Sequence, residues 1–211
     1  MLSLFTIFFT SFVIALSGAL MPGPLLTVTI SESARRGFVA GPLLIAGHGL
    51  LELALVVALL LGLAPLLQHH TVFVVIALVG SAVLLWMAYG MFRTLPTLSL
   101  STSAHAESGH NLLMTGALVS LANPYWSIWW ATIGLGYIVH CTKFGKLGVA
   151  SFFSGHILAD LAWYALISAA VWKGKNFLSD RAYRWVIGIC AVLLVAFASL
   201  FLYAGVSRIA L

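Results

Sequence analysis

The chain has 211 residues, 62% of them apolar, and its charged side chains are ten basic and five acidic. An ordinary soluble domain is roughly 25% charged, and so few charges cannot solvate the surface of a soluble protein of this length. Soluble enzyme, nucleic-acid binder, secreted disulfide scaffold and disordered chain are excluded, and the net charge of +5 reads as basic loops flanking membrane spans. The apolar runs are continuous rather than alternating, which also excludes a transmembrane β-barrel.

Six apolar stretches approach or exceed the roughly 20 residues that a bilayer span requires. In chain order they run over 3–21, 38–62, 71–92, 112–139, 145–171 and 185–206. The first has no basic residue ahead of it and is longer than a usual signal-peptide core, so it reads as a span. Between the third and fourth stretches lies a Ser-, Thr- and His-rich linker over 93–110. The expected organisation is a first three-helix repeat over 1–92, a polar cytoplasmic linker over 93–110 and a second three-helix repeat over 111–211. The fold class expected is an all-α integral membrane protein with six transmembrane helices arranged as two inverted repeats. Cys141 and Cys190 are far apart, lack CxxC spacing and read as apolar fillers.

With six spans, the connections after the first, third and fifth share one side. They carry Arg35, Arg36, Arg93, Lys173, Lys175, Arg181 and Arg184, against Lys143, Lys146 and Arg208 on the other side. The positive-inside rule then places both termini outside and the linker inside. Arg35 and Arg36 read as a topology signal.

The two halves share a motif. Residues 47–54 read GHGLLELA and residues 155–162 read GHILADLA, an offset of 108 with five of eight positions identical. Each copy follows a helix breaker, Pro22-Gly23-Pro24 in the first half and Asn123-Pro124 in the second. Toward the end of each half comes an aromatic–Gly–Arg pattern, Tyr89-Gly90 with Arg93 and Tyr203, Gly205 with Arg208. Three spans per half make the second half enter the membrane from the opposite side. Such inverted repeats are a transporter architecture with its site at the midplane.

Of the five acidic residues, Glu32, Glu107 and Asp180 read as loop residues, whereas Glu52 and Asp160 fall near the middles of spans two and five. A charge at the bilayer centre costs on the order of 2.5–3.5 kcal/mol on insertion scales, so such residues face a cavity or a partner. His48 and His156 each precede one of these acids by four residues, on the same helix face. Each pair can share a hydrogen bond or a proton. His48, Glu52, His156 and Asp160 are therefore the candidate substrate- and proton-binding residues. The same four would also suit a divalent metal, which is the alternative. His69 and His70 read as a solvated turn.

Pro22, Gly23, Pro24, Asn123 and Pro124 form the helix-break motif. A helix restarting after such a break exposes free N–H groups and a positive dipole end that can hold a carboxylate. Paired with buried acids, these ends suit a zwitterionic or cationic substrate. Trp126, Trp129 and Trp130 read as interface anchors, and Gly37, Gly41, Gly47 and Gly49 as points of close helix packing.

Pro22-Gly23-Pro24 followed by Gly37, Gly41 and Gly47, together with Asn123-Pro124, resembles the signature of the LysE/RhtB superfamily of small prokaryotic exporters. The resemblance covers essentially the whole chain. It departs at Leu51, where the pattern has another glycine. The resemblance implies a secondary transporter that exports an amino acid or related small solute across the prokaryotic plasma membrane, driven by a proton or ion gradient. It also leaves open a heavy-metal exporter, since the wider superfamily includes them. The third reading is a non-transporting membrane subunit or assembly factor that uses its Gly-rich faces for partners. No enzyme motif is present, no cofactor or nucleic acid is expected, and a homo-oligomer is left open.

Overall fold

The computed structural model describes residues 4–65, 69–98, 111–174 and 179–209, and among these every regular element is helical. Helix α1, Leu4–Ala19, is followed by α2, Pro24–Arg36, which turns away from it by 81°. The bend has a local cause. Gly23 is fully extended, and Pro24 at the first turn of α2 has no N–H to donate back into α1. Helix α2 stops at Gly37, whose φ of 82° is open to glycine.

Helix α3, Ala40–Ala58, runs on through a π-helical turn over Leu59–Leu63. Helix α4, His70–Thr94, ends in a 3₁₀ turn, Leu95–Thr97, where Pro96 prevents a further α-helical turn. The second half opens with α5, Leu112–Leu121, capped by the Asn111 side chain. Asn123 then caps α6, Pro124–Trp129, by accepting a hydrogen bond from Tyr125 N. A π-helical turn over Trp130–Gly134 joins it to α7, Leu135–Thr142. Two 30-residue helices close the chain, α8 over Gly145–Gly174 and α9 over Asp180–Ile209.

Four of these helices are long and apolar enough to cross a membrane, counting the π turn with α3 and the 3₁₀ turn with α4, or five if bent α1–α2 is one span. The first and fourth stretches are thus not simple rods. Helix α1 has 16 residues, about 24 Å against a hydrocarbon core of about 30 Å. The stretch expected as one span over 112–139 is broken at Asn123-Pro124 and again loosened at Trp130–Gly134. Three further expectations change. Glu32 lies within α2, ion-paired to Arg35 and Arg36, rather than in a loop. Asp180 is the first residue of α9. Arg93 lies in the last turn of α4, not in a linker. Glu107, Lys175 and the linker beyond residue 98 lie outside the described residues.

Helices pack across the two halves: α1 along α8, α5 along α3, and α4 along α9, while α3 also contacts α8. The first two contacts are backbone-close, and glycine makes them so. A methyl at Gly47 would fall on the Leu113 carbonyl of α5, and one at Gly155 on the Phe8 carbonyl of α1. These glycines are the first residues of the two GH motifs. Ser11 Oγ reinforces the α1–α8 contact by donating to the Phe152 carbonyl at 2.7 Å.

Gly47→Val should force α3 from α5 and lower stability by about 1–3 kcal/mol, read as a lower melting temperature in detergent. Gly90→Ala, at a site with nothing within 4 Å of the added carbon, should leave it unchanged or slightly raised. Equal behaviour of the two variants would contradict the glycine-mediated contact.

Candidate functional site

The GH motif places a histidine and an acid one turn apart on α3 and again on α8. The α3–α8 contact brings the two pairs together. Within the pairs, His48 Nε2 lies 3.1 Å from Glu52 Oε1, and His156 Nε2 lies 3.4 Å from Asp160 Oδ2. Across them, His156 Nε2 is 3.1 Å from Glu52 Oε2, and His48 Nε2 is 3.7 Å from Asp160 Oδ2. The two pairs expected from the sequence are therefore one four-residue cluster. All four residues are buried, and Glu52 is only 1% exposed.

Two indole N–H groups, from Trp126 and Trp130, donate to Glu52 Oε1 at 3.0 and 2.8 Å. These tryptophans are not interface anchors. They follow the break at Asn123-Pro124, one helical turn apart, and their N–H groups satisfy a buried carboxylate. Trp129, also buried, packs its ring against His156 with centroids 4.8 Å apart.

On the other side of the cluster, Ser120 of α5 fixes the His48 tautomer. Ser120 Oγ donates to the Gly116 carbonyl at 2.8 Å, so its oxygen accepts from His48 Nδ1–H at 2.7 Å. Nδ1 thus carries a proton, and Nε2 is the atom turned toward the acids. Ser120 carried no motif in the sequence. The Trp126–Trp130 spacing of four residues was the available signal for the indole pair.

The cluster lines a pocket of about 710 Å³, its open mouth included. Pro22, Gly23, Pro24 and Asn123 border the same pocket, with Tyr125, Trp126 and Tyr164. A methyl at Gly23 would lie 3.7 Å from Asn123 Nδ2, so the breaks of the two halves are neighbours. Their starts differ. Asn123 caps its own helix, whereas no side chain caps α2 at Gly23. Pro124 packs against Gly80 of α4 rather than on the pocket. His69 and His70 are remote from the cluster and begin α4, where His70 Nε2 pairs with the Arg208 carbonyl at 2.9 Å. Cys141 and Cys190 are free and buried.

Residues 16–205 match the family of LysE type translocators. The chain is 33% identical over 177 residues to the chemotactic transduction protein ChpE of Pseudomonas aeruginosa, covering 81% of this chain and 86% of that protein. No solved structure matches the chain.

Ser120→Ala would leave the buried His48 Nδ1–H without its acceptor, a loss of about 1–3 kcal/mol. Thermal unfolding in detergent should shift downward accordingly. An unchanged melting temperature would mean that Ser120 does not hold the His48 ring.

Proposed function

We propose, from the premise that this chain belongs to the LysE type translocator family and is a multi-pass membrane transporter rather than an enzyme, that it exports an amino acid or related small solute from a prokaryotic cell in exchange for protons. The observation that carries this reading is the merged cluster of Glu52, Asp160, His48 and His156 on the pocket where the two helix breaks meet. Ionisable groups at membrane depth are costly, and these four are arranged to pass protons among themselves while facing a cavity.

The pocket offers complementary ends to a zwitterion. The start of α2 at Leu25 borders the pocket with no capping side chain, which suits a carboxylate. Glu52 and Asp160 suit an ammonium group. Substrate arriving at the acids would displace protons, and protons returning would release substrate. Leu84, Leu194 and Phe197 provide the apolar wall.

The six-crossing inverted repeat is part of this proposal. It is supported by the cross-half packing of α1 on α8 and α5 on α3, by Gly47 and Gly155 serving equivalent contacts, and by the adjacency of the two breaks. Rocking of one half against the other would open the site to alternate sides. In this arrangement both termini are outside and residues 93–110 are inside. Reporter fusions at the two ends should both read extracytoplasmic, and cytoplasmic readings at both would overturn the orientation.

A second reading is favoured by the relative's name, which describes a chemotactic transduction protein. Under it the chain is a membrane component of a signalling assembly and moves no solute. Glu52→Gln separates the two. Export predicts that proteoliposomes containing this variant lose at least tenfold in pH-driven flux across an amino-acid panel, while the protein stays monodisperse. Undiminished, still pH-dependent flux would sink the role of Glu52. Absence of flux in the unaltered protein would favour the signalling component.

A further inference from the structure

The four side chains of the cluster converge on a point as metal ligands do. With Glu52 Oε2 and Asp160 Oδ2 as the ligand oxygens, three edges of the set are 3.1 Å (His156 Nε2–Oε2), 3.4 Å (His156 Nε2–Oδ2) and 3.7 Å (His48 Nε2–Oδ2), and one ligand atom from each residue lies within 4.8 Å of every other. A tetrahedron with ligands 2.0–2.1 Å from its centre has edges of about 3.3 Å, which is the geometry of Zn²⁺ with nitrogen and oxygen donors. The remaining edges, none longer than 4.8 Å, would contract to close the shell.

The outer contacts are also those of a metal site. His48 gives its Nδ1–H to Ser120, which leaves Nε2 as the ligating nitrogen of a neutral ring. The indoles of Trp126 and Trp130 both occupy Glu52 Oε1 and leave Oε2 without a hydrogen bond. Asp160 Oδ2 is likewise buried without a hydrogen bond. Two carboxylate oxygens that accept no hydrogen bond and two histidine nitrogens thus face one another. Buried carboxylate oxygens without hydrogen bonds are costly unless a cationic group or a metal ion lies beside them.

We propose that His48, Glu52, His156 and Asp160 form a binding site for one divalent transition-metal ion of the Zn²⁺ class. Among the described residues, the other titratable groups on the pocket are the phenols of Tyr125 and Tyr164, and no Lys or Arg lines it. Carboxylate, imidazole and no thiolate select Zn²⁺, Co²⁺ or Ni²⁺ over softer ions. The inference rests on the transport reading for the ion's place on the path, and binding itself is independent of which solute is exported.

The test is a Co²⁺ titration of the chelator-treated, detergent-solubilised full chain, followed optically. The expected result is one Co²⁺ per chain, the intense visible bands of a four-coordinate ion, and displacement by Zn²⁺. His156→Gln should abolish the bands. Because that variant can fold poorly, the stoichiometry and band intensity of the unaltered protein stand as the independent readout. No binding, or weak six-coordinate bands that survive His156→Gln, would each overturn the site. Amino-acid export undiminished in chelator together with no Co²⁺ binding would remove the metal site and leave the transport reading intact. Co²⁺ binding as expected with no amino-acid flux would do the reverse.

Discussion

Two carboxylates are buried between α3 and α8, and the structure is organised around making that tolerable. Glu52 is 1% exposed and Asp160 5%. Neither could remain there as an isolated charge, because removing an ion from water costs several kcal/mol even after relaxation. Two histidines supply protons or lone pairs, two indoles supply N–H groups, and a serine on a third helix fixes one ring. Remove the cross-half contact and each histidine keeps only its own acid. The merged cluster exists because α3 and α8 pack together at the level of the repeated GH motif.

That packing in turn depends on the glycines and the breaks. Gly47 and Gly155 admit the backbones of α5 and α1 against α3 and α8, and so set the depth at which the histidine one residue on projects. The break at Asn123-Pro124 starts a new helix beside the cluster, and its first two turns carry Trp126 and Trp130 to Glu52. The break at Pro22–Pro24 bends α2 by 81° and leaves its start uncapped on the same pocket. Proline and glycine breaks free backbone polar groups within a membrane helix. Here they put polar backbone and polar side chains at one place, where a cavity can satisfy them.

Much of this was legible in the sequence because charge is so scarce. Glu52, Asp160, His48 and His156 stood out as polar residues in apolar runs, and their repetition at a fixed spacing pointed to a shared site. The breakers were legible because proline has a fixed local consequence. What the sequence could not carry was distance between helices. Nothing in residues 47–54 and 155–162 says that the two pairs touch, since that depends on close backbone contacts about 66 residues along the chain from Gly47 to Leu113. Trp126 and Trp130 read as interface anchors in the sequence because an indole is equally suited to a headgroup and to a buried acceptor. Ser120 was invisible for the same reason: a serine in an apolar helix bonds its own backbone as readily as a distant imidazole. The fourth stretch looked like one span because hydropathy does not register a π turn.

In the proposed exchange, the cluster alternates between protons and a bound solute. The most direct measurement is the direction of net amino-acid flux in proteoliposomes, with the solute at equal concentration on both sides and the pH gradient imposed in one sense and then the other. Proton exchange predicts that the net flux changes sign when the gradient is inverted. Net flux that is zero under both gradients, or that keeps its direction, would contradict it.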